Sequence, residues 1–185
     1  MSLPKAVLLD RDGVINFDSP DYILTPEQWE PIPGSLEAIA KLTKRAIPVA
    51  ICSNQSGLGR GMMEEEIFRA IHAKMMLAIE SAGGMISHAG YCPHAPDEGC
   101  SCRKPLPGLI EETLEALDLS ADDAIMIGDS TRDIEAAHAA GVNSMLVQSG
   151  YGNAEVILQR CKMINPKLKA YPDLATAIDA ILEES

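Results

Sequence analysis

The sequence predicts an α/β protein, a Rossmann-like three-layer sandwich in which helices cover both faces of a mostly parallel sheet. Three observations predict this fold. Short apolar runs alternate with longer amphipathic stretches along the chain. Two of these runs, at 5–9 and 124–128, are followed directly by an aspartate, and open α/β sheets carry their active sites at such strand ends. The 185 residues contain no linker-like segment, so we expect a single domain over residues 1–185.

Elements in the first half of the chain are predicted from apolar periodicity. An apolar stripe between Leu36 and Leu42 indicates a helix that Gly34 and Ser35 can start. Pro48 must lie near the beginning of the second strand, because proline cannot donate a ladder hydrogen bond. The predicted elements are a strand at 5–10, a loop at 11–33, a helix at 34–45, a strand at 47–53, a glycine-bearing loop at 56–61, a helix at 64–82 and a strand at 86–91.

The second half continues the alternation. Pro107 suits the first turn of a helix, and Gly141 ends another. The amphipathic tail is expected to pack as a final helix. The predicted elements are a loop at 92–104, a helix at 107–117, a strand at 124–128, a helix at 131–140, a strand at 143–148 and a helix at 173–184.

Composition excludes several classes of partner. The net charge of −12 argues against nucleic acid, because a binder needs a basic face. The same charge repels anionic substrates, so any attraction must come from a metal ion and a few local basic residues. No stretch reaches the roughly 20 apolar residues of a membrane span, and residues 1–9 lack a signal peptide's apolar core. We therefore expect no membrane partner, a cytoplasmic location and a monomer.

Acidic residues follow two of the predicted strands. Asp10 and Asp12 end the first, and Asp129 and Asp133 follow the fourth. With one residue between them at the end of the strand, Asp10 and Asp12 can take different roles at one centre, as a carboxylate nucleophile and a neighbouring acid/base. The alternative is a solvated turn at a strand end. Two acidic strand ends facing one crevice indicate a hard divalent cation and phosphate chemistry.

Three cysteines and a histidine cluster in the segment 92–104. Cys92, His94, Cys100 and Cys102 supply three thiolates and one imidazole, a closed tetrahedral set typical of structural Zn²⁺. The alternative is three unrelated buried cysteines. Because this zinc loop runs directly into Arg103 and Lys104, zinc would fix the segment that aims both basic residues.

The order of the polar motifs resembles the haloacid dehalogenase-like phosphatases. The resemblance rests on Asp10-x-Asp12-Gly13, on Ser53-Asn54, on Arg103-Lys104 and on Asp129 followed by Asp133, and it covers essentially the whole chain. Compared with that family, the chain has no insertion large enough for a separate cap domain.

The resemblance implies a two-step hydrolysis. Asp10 would form an aspartyl-phosphate and Asp12 would act as general acid, then base. It also implies that Mg²⁺ is held by Asp10, Asp129 and the backbone carbonyl of Asp12. Ser53 and Lys104 would bind the phosphoryl oxygens, with Arg103 beside them, and Asp133 would orient the cluster.

With the zinc loop, the chain resembles one subfamily, the D-glycero-D-manno-heptose 1,7-bisphosphate 7-phosphatases. Their reaction would release the 7-phosphate and give heptose 1-phosphate for ADP- or GDP-heptose biosynthesis. The segment Gly59-Arg60-Gly61 favours this group, and we expect no imidazoleglycerol-phosphate dehydratase domain. The sister group, the histidinol-phosphate phosphatases, stays open because the short span between His94 and Cys100 is frequent there. Neither the anomer nor the destination glycan follows from the sequence.

The resemblance also implies substrate contacts. The segment from Asp18 to Tyr22 would contact the sugar, and Arg103 would bind the distal 1-phosphate through its planar fork. Arg60 is a second candidate there, or else a solvated loop arginine. Many of these enzymes have Lys where this chain has Ser130, which puts that contact in question. The remaining predicted sugar contacts are Ser53, Asn54, Gln55 and Ser56.

Two other classes are weighed against an enzyme. A dinucleotide-binding loop fails because Gly57, Gly59 and Gly61 are spaced G-x-G-x-G. A zinc-stabilised binding module with a decayed site would have lost a catalytic position. Asp10, Asp12, Ser53, Lys104 and Asp129 are all present.

Overall fold

The computed structural model describes residues 3–183. The strands are β1 (Ala6–Leu9), β2 (Val49–Asn54), β3 (His88–Cys92), β4 (Ala124–Gly128), β5 (Asn143–Val147) and β6 (Lys169–Tyr171). The helices are α1 (Ser35–Lys44), α2 (Glu65–Ser81), α3 (Gly108–Ala116), α4 (Thr131–Ala139), α5 (Ala154–Ile164) and α6 (Leu174–Glu183). All six strands pair in parallel, in the order β3-β2-β1-β4-β5-β6.

Successive side chains of each strand enter cores on opposite faces of the sheet. In β1, Val7 and Leu9 pack with α1, α2 and α6, whereas Leu8 packs with α3 and α4. A smaller core between α4, β5 and α5 buries Cys161 completely. Helices therefore cover both faces, and the predicted three-layer sandwich with a parallel sheet is confirmed.

Every element predicted from the sequence is present, with ends within two residues of the predicted ones. Residue 184 of the predicted last helix lies outside the described part of the chain. The structure adds α5 and β6 in residues 149–172, for which the sequence analysis predicts no element. Within residues 3–183, none of the helices combines the length and apolar character needed to cross a membrane.

The strand order places the acidic strand ends side by side. β1 pairs with β2 on one side and with β4 on the other. The chain therefore builds β2 and β3 on one side of β1, and then crosses over to build β4, β5 and β6 on the other side. Such a switch point opens a crevice at the carboxyl ends of the strands. Asp10 stays tied to this edge, since its backbone N–H donates to Ile127 O at 3.0 Å.

Candidate active site

A cleft of about 310 Å³ opens at the carboxyl edge of the sheet. It is lined by all the predicted catalytic, magnesium-binding and substrate-binding residues except Pro20 and Asp21 of the sugar-contact segment. The residues that line it include Asp10, Asp12, Asp18, Tyr22, Ser53, Asn54, Gln55, Ser56, Arg60, Arg103, Lys104, Asp129, Ser130 and Asp133. The described structure thus brings the predicted positions into one cavity, although they come from five separate segments.

Lys104 is the central cation of the cleft. Its side chain is 1% exposed, and its Nζ lies 3.0 Å from Asp10 Oδ2 and 2.5 Å from Asp133 Oδ1. Burial lowers the pKa of Lys104, but the two carboxylates outweigh burial and raise the pKa above its ordinary value. The ammonium group therefore stays charged and neutralises part of a buried acidic cluster.

Asp10, Asp129 and Asp133 form this acidic cluster, and one oxygen of each lies within 4.8 Å of the others. Burial raises the pKa of Asp10 to about 6, and burial with the nearby Asp133 raises that of Asp129 to about 9. Burial is the larger cause of both pKa shifts, and the neighbouring carboxylates add to it because one ammonium group does not balance all three. A hard divalent cation with oxygen ligands fits this deficit of positive charge.

Asp133 has donors on both of its oxygens. The N–H and hydroxyl of Ser130 donate to Oδ2 at 3.0 and 2.6 Å, and Lys104 donates to Oδ1. The bond from the Ser130 N–H belongs to a capping box at the start of α4. Burial raises the pKa of Asp133, but Lys104 outweighs it and lowers the pKa. The contacts favour Asp133 as a group that positions Lys104 over a direct ligand of a cation.

Two glycines leave room for the Asp129 carboxylate. A Cβ on Gly150 would lie 1.8 Å from Asp129 Oδ2, and a Cβ on Gly13 would lie 2.6 Å from it. Gly13 also has φ +79°, a conformation that side chains rarely adopt. The loop after β5 and the turn after Asp12 therefore enclose Asp129 through bare backbone.

Asp12 is held by four hydrogen bonds from three side chains. Arg11 donates through Nε to Oδ1 and through Nη2 to Oδ2, both at 3.0 Å. Asn16 donates to Oδ1 at 2.8 Å and Gln55 to Oδ2 at 3.0 Å. Burial raises the pKa of Asp12, but these donors outweigh burial and hold the pKa below its ordinary value. The side chain is thus fixed as a carboxylate facing the cleft.

The end of β2 fastens the segment that carries Lys104. Asn54 Nδ2 donates to Lys104 O at 2.9 Å, and Lys104 N–H donates to Asn54 Oδ1 at 3.0 Å. Beside it, Gln55 Nε2 donates to Ser53 Oγ at 3.0 Å. Asn54 and Gln55, predicted as sugar contacts, therefore also hold the backbone of Lys104 and the side chains of Ser53 and Asp12.

The Cys/His cluster of the zinc loop converges on one point. Cys92 Sγ lies 3.5 Å from His94 Nδ1 and 3.7 Å from Cys100 Sγ, while Cys102 Sγ lies 3.4 Å from His94 Nδ1. Tetrahedral zinc, with Zn–S of ~2.3 Å and Zn–N of ~2.0 Å, implies donor separations of ~3.5–3.8 Å. Three thiols and an imidazole at these separations fit a Zn²⁺ ion. Arg103 Nη1 donates to His94 O, joining the cluster to the cleft.

Sequence reasoning assigned no role to three polar residues of the site. Arg11 is 1% exposed and grips Asp12, and Asn16 is fully buried beside it. Arg132, at the start of α4, lines the cleft. The position of Arg11 between two aspartates is a sequence signal that could have predicted its ion pair with Asp12. Arg132 lines the cleft only because of the way α4 packs, which the sequence does not show.

Comparisons with known proteins agree with this fold and site. The family model Hydrolase_like (HAD-hydrolase-like) matches residues 101–177. A D-glycero-beta-D-manno-heptose-1,7-bisphosphate 7-phosphatase from Pseudomonas putida is 47% identical over 148 residues, covering 80% of this chain and 85% of its own. The enzyme of that name from Bordetella bronchiseptica is 39% identical over 181 residues, covering 98% and 99%.

Solved structures agree as well. The crystal structure of D,D-heptose 1,7-bisphosphate phosphatase from B. bronchiseptica complexed with magnesium and phosphate superposes with a TM-score of 0.91 at 39% identity, covering 97% of this chain and 99% of that one. The corresponding phosphatase structure from Burkholderia thailandensis gives 0.74 at 31% identity, covering 96% and 97%.

Fold, cleft and family match together define a haloacid dehalogenase-like hydrolase. Within that class, the chain belongs to the D-glycero-beta-D-manno-heptose-1,7-bisphosphate 7-phosphatase family. Both levels of the resemblance seen in the sequence are thereby confirmed.

Proposed function

We propose that this chain is a Mg²⁺-dependent phosphomonoesterase that removes the 7-phosphate of D-glycero-β-D-manno-heptose 1,7-bisphosphate. The products are heptose 1-phosphate, for ADP- or GDP-heptose biosynthesis, and inorganic phosphate. The observation that carries the proposal is the convergence of Asp10, Asp12, Lys104 and Asp129 at one strand edge. The names of the relatives support the substrate and the β anomer.

Asp10 is the nucleophile in this proposal. A carboxylate oxygen attacks phosphorus, the bond to the sugar oxygen breaks, and Asp12 gives its proton to the departing alkoxide. Asp12 then takes a proton from the water that cleaves the aspartyl-phosphate, which releases phosphate and restores Asp10. Arg11 keeps the pKa of free Asp12 low, and a bound phosphate dianion opposes this effect because like charge raises the pKa of a carboxyl.

Lys104 and Ser53 bind the oxygens of the reacting phosphoryl group. Both are buried to 1% exposure, so the ammonium and hydroxyl are already oriented when substrate arrives. Preorganised donors in a site shielded from water stabilise charge in the transition state more than mobile ones do. Arg103, which lines the cleft, binds the second phosphate in this proposal through the guanidinium N–H groups that do not donate to His94 O.

Asp10, Asp129 and the backbone carbonyl of Asp12 hold Mg²⁺ in this proposal. The crowding of carboxylates around Asp129 and the room left by Gly150 support it. When bound, the ion supplies positive charge to the reacting phosphate and to the ionised carboxylates.

Zn²⁺ is proposed as a structural ion. Four protein donors leave no open position for water or substrate, which is the arrangement of structural zinc sites. The Cys/His cluster joins the cleft through Arg103 and the adjacent Lys104. We further propose that the enzyme acts in the cytoplasm as a monomer; thiol clusters of this kind belong to reducing compartments, and sedimentation at equilibrium tests the mass.

The decisive experiment measures phosphate release with Mg²⁺ from the β and α anomers of the heptose bisphosphate and from histidinol phosphate. We expect the β anomer to be preferred over histidinol phosphate by about a hundredfold in kcat/KM, or ~2.7 kcal/mol. Asp10→Asn serves as the control for contaminating phosphatases. Preference for histidinol phosphate would move the enzyme to its sister group, and inactivity on all three would remove the substrate assignment.

A further inference from the structure

The basic side chains of the cleft differ in what they contact. Arg11 forms an ion pair with Asp12, and Lys104 forms ion pairs with Asp10 and Asp133. The other three cations that line the cleft make no ion pair within residues 3–183; these are Arg60, Arg103 and Arg132. Positive charge for a second phosphate must therefore come from these three.

Two of these three arginines line the same two cavities. Arg103 and Arg132 line the cleft and also a second groove on the outer side of the zinc loop, lined too by Pro96, Cys100 and Leu106. They therefore lie where the two cavities adjoin, and of the two side chains Arg132 is exposed and Arg103 half-buried. Arg60 lines the cleft but not that groove.

Arg132 and Asp18 of the predicted sugar-contact segment line the same cleft. Burial raises the pKa of Asp18, and Arg132 is among the cations that partly offset the rise. Arg132 thus acts electrostatically on Asp18 within the cleft, while Arg103 reaches the same cleft from the zinc loop.

Ser130, which also lines the cleft, has no free donor for a substrate phosphate. Its hydroxyl donates to Asp133 Oδ2 at 2.6 Å, and its N–H donates to the same oxygen. The hydroxyl proton and the amide proton are therefore both engaged by Asp133. The next side chain of α4 that lines the cleft and carries donors is Arg132.

We propose that Arg132 binds, together with Arg103, the phosphate that is not hydrolysed, and so makes the enzyme selective for bisphosphates. This inference rests on the proposed function. Two guanidinium groups that line the same part of the cleft can each donate hydrogen bonds to phosphate oxygens. In a chain of net charge −12, such a local pair supplies the attraction that the overall field does not.

The experiment compares two substrates that differ only in the distal phosphate. D-glycero-β-D-manno-heptose 1,7-bisphosphate and D-glycero-D-manno-heptose 7-phosphate are each assayed with the wild type, Arg132→Gln and Arg132→Lys. Arg160→Gln, on the exposed surface of α5, removes the same charge far from the cleft and serves as the matched control.

We expect Arg132→Gln to lower kcat/KM for the bisphosphate by about 30-fold, from the loss of a charge-assisted contact, and for the 7-phosphate by less than about twofold. Arg132→Lys restores part of the loss, and Arg160→Gln matches the wild type. An equal loss on both substrates, or none on either, overturns the role of Arg132. A wild type that does not prefer the bisphosphate overturns the proposed function as well, so the two failures are distinguishable.

Discussion

Arg11 lies between Asp10 and Asp12 in the sequence. Two of its guanidinium nitrogens donate hydrogen bonds to the carboxylate of Asp12. Its planar guanidinium places Nε and Nη2 each 3.0 Å from a different oxygen of Asp12. A lysine at the same position keeps the charge but offers a single donor centre. The orientation of Asp12 therefore depends on the shape of this side chain as well as on its charge.

We predict that Arg11→Lys lowers kcat for sugar phosphates by about 10- to 100-fold, part of the ~10²–10⁴-fold that general acid–base catalysis contributes, because lysine keeps the charge but not the orientation of Asp12. The loss should be much smaller for p-nitrophenyl phosphate, whose leaving group needs no proton. Steady-state kinetics on both substrates check this, with Arg69→Lys on the exposed face of α2 as control. Equal losses would mean that the substitution damages the site as a whole.

Gly150 controls access to the Asp129 carboxylate. An added Cβ would lie 1.8 Å from Asp129 Oδ2, so the carboxylate must move in Gly150→Ala. We expect the Mg²⁺ concentration for half-maximal activity to rise by about tenfold or more, in line with mutations around metal ligands. Gly57→Ala, whose Cβ would meet nothing closer than 3.9 Å, should keep the wild-type Mg²⁺ requirement. An unchanged requirement in Gly150→Ala would remove Asp129 from the magnesium site.

At the scale of elements, the zinc loop and the end of β2 together place Lys104. The loop is anchored by its Cys/His cluster, and Asn54 holds the Lys104 backbone from the other side through two hydrogen bonds. Loss of zinc should therefore loosen the loop without releasing Lys104 completely. Activity should fall, but not to zero.

We predict that Cys102→Ser purifies with much less than one zinc per chain and unfolds at lower temperature than the wild type. Cys161→Ala, which removes a thiol buried away from the loop, should keep one zinc per chain. Elemental analysis measures the metal, and hydrogen exchange should show faster exchange confined to residues 92–104. Full zinc content in Cys102→Ser would exclude this cysteine as a ligand.

The elements that the sequence predicts are those with clear apolar periodicity. β6 has three residues, Lys169–Tyr171, and lies at the edge of the sheet, so it shows no apolar run. α5 buries Cys161 completely, while Val156 is 43% and Met163 84% exposed. An amphipathic stripe is the signal that identifies a surface helix, and the stripe of α5 is as pronounced as those of α2 and α3, so the sequence does hold a signal for this helix.

Some site residues can likewise be placed from the sequence, whereas the positions of others depend on how the helices pack. Positions directly after strands, such as Asp10 and Asp129, can be placed from the sequence because strand ends share one edge. The contact of Ser130 with Asp133 and the approach of Arg132 to Asp18 depend on how α4 packs. Those relations appear only in the folded structure, and the catalytic roles assigned from the motifs stay predictions.

At the scale of the whole molecule, negative charge is concentrated where magnesium is proposed to bind. The pKa of Asp129 is raised to about 9 and that of Asp10 to about 6, against roughly 3.9 in an unfolded chain. Between about pH 4 and 9 the magnesium-free folded state therefore holds protons that the unfolded state has released. The free energy of unfolding then falls as pH rises through this range. Asp12 and Asp133, whose pKa values are lowered, are ionised in both states above about pH 5 and do not change the slope.

We predict that the melting temperature of magnesium-free enzyme falls from pH 5 to pH 9, and that saturating Mg²⁺ raises it by an amount that grows with pH. Magnesium requires ionised carboxylates, so its stabilising effect increases as protons leave Asp10 and Asp129. Thermal unfolding of zinc-loaded enzyme without added Mg²⁺ and with saturating Mg²⁺ at each pH measures both effects; no chelator is used, because it would also remove zinc. Asp129→Asn should flatten the magnesium-free slope above pH 6, where Asp129 is the titrating group. A magnesium effect that stays constant or shrinks with pH would mean that these carboxylates do not bind the ion.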